Sequence, residues 1–154
     1  MEHPNRILEL ETEIHRLRLT TTGGGGHSTL SLLRQADQAL KAPSDKEVAP
    51  SAVLIPLRES INRAFADLLK RRPQQEKTKN DKEKVMSICK QCCRDGVEVE
   101  QIEAYANEAY DLTNLLSKAK QEMLTRDRVR ELMNRGLVFL LAFFRILDEK
   151  KMRS

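Results

Sequence analysis

Between residues 102 and 119 apolar side chains return every three or four positions, at Ile102, Tyr105, Ala109, Leu112, Leu116 and Ala119. That is the period of one helix face, and no strand can use it. Glu98, Glu100 and Glu103 open the run and Lys118 and Lys120 close it, matching the helix dipole at both ends. A helix capped by Thr125 follows. Val129, Leu132, Met133, Leu137, Leu140, Phe144 and Leu147 make one of its faces, and Val138, Phe139, Leu141 and Phe143 fill most of the rest. A helix so apolar belongs in the centre of a bundle.

The same period runs upstream. Ser28 is placed to cap a helix carrying Leu30, Leu33, Ala36 and Leu40, which Pro43 ends. Leu54, Leu57, Ile61, Phe65 and Leu68 mark another, whose regular part is expected to start at Pro56 and to stop by Pro73. Asn80 with Glu83 three residues on resembles a capping box for a helix along Val85, Ile88 and Cys92, stopped at Asp95-Gly96. Only the short segment 97–99 alternates as a strand would. With aromatics at 4% and no Trp, the composition also leans away from a sheet sandwich.

At the start of the chain Ile7, Leu10, Ile14 and Leu17 follow the three-then-four spacing of a coiled-coil seam, with Glu9, Glu11, Glu13, Arg16 and Arg18 outside it. A helix this short is marginal alone, so residues 1–19 are expected to dock on the body or on a second copy. Four glycines, Gly23 to Gly26, predict a hinge over residues 20–27. The expected architecture is therefore all-α: a compact bundle of about four to five helices at residues 28–154, with an amphipathic helical arm on a Gly-rich hinge. A length of 154 residues with 40% hydrophobic content suits one core.

Charge is unevenly distributed. Residues 70–94 hold nine Lys or Arg against three acids, residues 95–122 two against seven, and residues 126–154 eight against four. Lys70, Arg71, Arg72, Lys77, Lys79, Lys82 and Lys84 join a helix end to a helix start and are candidate contacts to a phosphate backbone. No aromatic residue is interleaved for base stacking, and the acidic fifth helix is a competing partner for the same charge, within the chain or across an interface.

Cys89, Cys92 and Cys93 contain a C-x-x-C, but a zinc site needs further Cys or His ligands, and His3, His15 and His27 all lie in the arm or hinge. Cys89 and Cys92 read as small hydrophobes, with a thiol or metal sensor as the sharper alternative. An odd, clustered set of cysteines implies no disulfide framework and fits a reducing compartment. No His follows His27, so an Arg–His ribonuclease pair, a nearby Cys–His pair and a Glu-x-x-His carboxylate site are all missing. Gly23 to Gly26 lacks the Lys-Ser/Thr of a phosphate loop. Neither an enzyme activity, a metal, a cofactor nor a small-molecule substrate is expected.

Glu2 and Glu9 do not suit an exported leader, and the longest apolar run, residues 136–144, is closed by Arg145 far short of a membrane span. Arg145 itself must reach solvent or a carboxylate. A cytoplasmic location is expected. The function expected is a non-catalytic interaction or adaptor module, self-associating or part of a larger complex, with Ile7, Leu10, Ile14 and Leu17 as its oligomerisation seam. The alternative is a basic accessory subunit that binds RNA or DNA through residues 70–94.

Overall fold

The computed structural model describes residues 2–19, 28–41, 49–119 and 122–153, with side chains from residue 6 onward. The expected hinge at 20–27, with His27, and Pro43 and Lys120 lie outside the described residues, as does the His3 side chain. Within them the chain is all-α: α1 (Glu2–Leu17), α2 (Thr29–Leu40), α3 (Pro50–Lys70), α4 (Asp81–Cys92), α5 (Val99–Ala119), α6 (Arg126–Arg145) and a 3-10 turn at Glu149–Lys151. The segment 97–99 is no strand. Among the described residues the sole β feature is an isolated antiparallel bridge between Cys93 and Leu147.

The caps set the boundaries. Ser28 and Ser31 form a capping box for α2, each hydroxyl accepting the other residue's backbone N–H. Asn80 accepts the Glu83 N–H at 2.9 Å, and Thr125 accepts the Arg128 N–H at 3.1 Å. α3 starts earlier than Pro56 suggests, because Pro50 takes the first helical position. Pro56 then sits buried inside the helix. The loss of one backbone bond there is offset by the burial of Val53, Leu54 and Leu57 around it. α1 ends in a Schellman motif: Leu19 N–H bonds to the Ile14 carbonyl, Arg18 N–H to the His15 carbonyl, and Arg18 stands at φ +56°.

α6 is the central helix and packs on α1, α2, α3 and α5. All four phenylalanines meet there: Phe65 lies edge-on to Phe139 and Phe143, with centroids 6.2 and 5.8 Å away, and Phe143 also touches Phe144. Gly136 lets α3 come close, since a Cβ there would sit 2.9 Å from a methyl of Leu57. Val138 departs from the expected pattern and is exposed, whereas Phe139, Leu141 and Phe143 are buried.

α1 is not a separate arm in this structure. Ile7, Leu10, Ile14 and Leu17 join the same core as the rest of the chain, against α6 and α2, and the last three are fully buried. The seam thus finds a partner within the chain, its three-four spacing packing against α6.

The C-termini of α1, α3, α4 and α6 converge at one end. Arg16 donates to the Phe144 and Leu147 carbonyls at 2.7 and 2.9 Å, and Arg71 donates to Leu17 and Arg18 at 2.7 and 2.9 Å and also to Arg153. Arg94 N–H bonds to Ile146 and Asp148 N–H to Cys92, each at 2.8 Å. Lys151 closes the knot on the Cys93 carbonyl and Asp95. Four negative dipole ends would repel one another if left bare; the cations fill their orphan carbonyls.

Candidate interaction groove

α3 and α4 run in the same direction, so the chain between them must return along the length of α4. Residues 73–80 do so as an extended strap. Gln74 N–H donates to the Gln91 side chain at 2.8 Å, and Gln91 Nε2 returns a bond to the Gln74 carbonyl at 3.0 Å. One turn back, the Ser87 hydroxyl donates to the Glu76 carboxylate and accepts from Arg72 Nη1 at 2.6 Å. A further turn back, Lys79 N–H donates to Glu83 at 3.1 Å. Glu83, Ser87 and Gln91 stand four residues apart on one face of α4, the spacing that lets three side chains hold one segment of chain running antiparallel to the helix. The Ser87 hydroxyl, aided by Lys90 and Arg72, holds the Glu76 carboxyl below its ordinary range.

Between this strap, α4 and the first turn of α5 lies an open groove of about 480 Å³. Met86, Val99 and Ile102 give it an apolar floor, and Lys77 and Lys90 stand at its edge with Glu76 and Glu83. Val99 is 62% exposed, second only to Met123 among the large apolar side chains of the described residues. The two glutamates are already engaged by Ser87 and Lys79. Among the described residues Lys77, Lys79, Lys82 and Lys90 form no ion pair, and all four are exposed. Glu98, just before α5, and Glu100 and Glu103 in its first turns are exposed and likewise form no ion pair among the described residues.

The candidate phosphate contacts divide into two groups. Arg71 and Arg72 serve the fold: Arg71 ties the ends of α1 and the C-terminal tail to α3, and Arg72, 4% exposed, bonds to Leu69, Ser87 and Glu76. Burial and the nearby Arg18 hold the Arg71 pKa below its ordinary value. Lys84 is half-buried, with its ammonium 3.5 Å from Asp81. Lys70, Lys77, Lys79 and Lys82 are the members left on the surface.

Cys89 and Cys92 are fully buried and Cys93 is partly exposed; all are free thiols. Burial pushes the Cys89 thiol up to about 12. Burial also raises Cys92, against the pull of Arg71 and Arg72. Neither is a ready thiolate. Among the described residues no three His, Cys, Asp or Glu side chains gather as a metal site. His15 is exposed on α1. Arg145 is exposed, with its guanidinium 3.7 Å from Glu9. No helix among the described residues is long and apolar enough to cross a membrane.

The groove itself was not foreseen from the sequence. Ile102 reads as a core position, Val99 falls in the strand-like segment 97–99, Met86 falls in no pattern, and the strap reads as a loop. The findable signal is the polar stripe Glu83, Ser87, Gln91 on an otherwise solvated helix face. No family model, curated protein or solved structure matches this chain.

Proposed function

We propose that the protein is a non-catalytic protein–protein interaction module, self-associating or a small subunit of a larger complex, and that it docks through the groove between the strap, α4 and α5. The observation that carries this reading is Val99, held 62% exposed over a groove that Met86, Ile102, Lys77 and Lys90 also line. A partner surface that offers an apolar side chain to Val99 and carboxylates to Lys77 and Lys90 fits it.

The test is a photo-crosslinking residue at position 99 of the full-length protein in its own cells, with Met123, fully exposed on a loop, as the control position. A protein adduct at 99, absent at 123 and lost in a Lys77→Glu/Lys90→Glu background, is expected. No protein adduct at 99 would overturn the reading. A second reading, contact with RNA or DNA, is favoured by the exposed and unpaired Lys77, Lys79 and Lys82; its mark is a nucleic-acid adduct and binding that weakens steeply with salt.

A further inference from the structure

We infer that the C-terminal end of α4 is a redox-sensitive latch: a disulfide between Cys93 and Cys89 forms under oxidising conditions and releases residues 146–153 from the end of the bundle. The inference does not depend on the groove and goes beyond the interaction reading.

The three cysteines of the chain fall within residues 89–93, and all are free thiols. They are placed unequally. Cys89 and Cys92 are fully buried in the last turn of α4, whereas Cys93, the C-cap residue, is partly exposed, so an oxidant in solution meets Cys93 first. Cys89 lies four residues back on the same face of the helix. After burial, the strongest influence raising the Cys89 thiol is Cys93, ahead of Cys92, which marks these two sulfurs as the closer pair.

The oxidant is a hydroperoxide. The Cys93 thiolate attacks it, an S–O bond forms, the O–O bond breaks and hydroxide leaves, which gives a sulfenic acid. The Cys89 thiolate then attacks that sulfur; an S–S bond forms, and the sulfenic oxygen takes up a proton and departs as water. In sum, two thiols are oxidised to one disulfide and one hydrogen peroxide is reduced to two waters.

Geometry couples this bond to the fold. Residues four apart on a helix hold their Cβ atoms about 5–6 Å apart, against about 3.8 Å in a disulfide, so the last turn of α4 must give way before the sulfurs join. The bond of 3.0 Å from the Cys93 N–H to the Cys89 carbonyl, which closes that turn, is then lost. Cys93 is itself extended, at φ −78° and ψ 157°, so the turn opens from its free end and not from the middle of the helix.

The same turn holds the tail. The Cys92 carbonyl accepts the Asp148 N–H, the Cys93 carbonyl accepts from Lys151 Nζ, and the Arg94 N–H donates to the Ile146 carbonyl, each at 2.8 Å. Moving Cys92 and Cys93 displaces all three bonds together. Ile146, Leu147 and Met152, all buried while the latch is closed, then lose their anchorage.

The experiment treats the full-length protein with hydrogen peroxide, maps disulfides by mass spectrometry after non-reducing digestion, and follows amide hydrogen exchange over residues 146–153. A Cys89–Cys93 bond that dithiothreitol reverses, with tail exchange at least about tenfold faster than in the reduced protein, is expected. Cys93→Ser is expected to abolish both effects and Cys92→Ala to preserve both. Peroxide treatment that yields no disulfide, a disulfide of any other pairing, or a Cys89–Cys93 bond that leaves tail exchange unchanged would overturn the inference.

Discussion

Arg18 sits at φ +56°, where a side chain costs about 1–2 kcal/mol relative to glycine, and its charge faces Arg71. Arg18→Gly is expected to raise stability by about 1 kcal/mol, read as a higher thermal midpoint. Arg71→Ala and Arg72→Ala act in the other direction. Each removes a charged donor from partly or fully buried acceptors, and each is expected to cost about 2–3 kcal/mol, whereas Lys77→Ala stays within about 0.5 kcal/mol. Urea unfolding distinguishes the two classes, and any loss of binding in the arginine variants reports on folding first. Acid sensitivity follows from Glu76, Glu149 and Asp95. Hydrogen bonds from the Ser87 hydroxyl, from the Glu149 backbone and Arg16, and from Lys151 respectively hold the three carboxyls below their ordinary range. Because their folded pKa values are depressed, the stability they contribute is complete above about pH 4.5 and is lost as pH falls through the folded values. Glu76→Gln is expected to lower the midpoint at pH 7 and to flatten its decline toward pH 3. Residue roles of this kind were the least legible part of the sequence. Arg71 and Arg72 look identical to surface cations until the convergence of helix ends is known, since nothing local in Lys70-Arg71-Arg72 marks two of the three as internal.

The six helices were legible because each carries its own apolar period and, in α2, α4 and α6, its own capping side chain. The start of α3 was not, because Pro50 and Pro56 both meet the local rule for a first turn, and only the burial of Val53 and Leu54 decides between them. The role of α1 was half legible. Its seam predicted burial, but one chain's periodicity cannot say whether the covering surface belongs to α6 or to another copy. Four buried side chains, Ile7, Leu10, Ile14 and Leu17, at about 1.5–3 kcal/mol each, match the whole net stability of a typical domain, about 5–15 kcal/mol. A chain beginning at residue 28 is therefore expected to lose cooperative thermal unfolding, and a sharp calorimetric transition in that form would contradict the placement of α1. At Gly136 two effects compete. Alanine gains about 1 kcal/mol in helix propensity but presses on Leu57, where overpacking costs about 1–3 kcal/mol. The net expectation is a small loss for Gly136→Ala and a severe one for Gly136→Leu, measured as urea midpoints.

For the whole molecule, the converging helix ends fix the strap, the strap and α4 define one wall of the groove, and α5 supplies the other. The alternation of basic and acidic stretches was plain in the sequence, and so was the possibility that they meet. The groove was not, because it depends on α3 and α4 running in parallel, a topology that no local pattern encodes. The measurement that separates the groove from the coiled-coil-like seam is methyl NMR on the full-length protein as its concentration is raised. Shifts confined to Met86, Val99 and Ile102, reduced by salt, are the expected result. Shifts at Ile7, Leu10 and Ile14 with a silent groove would contradict it.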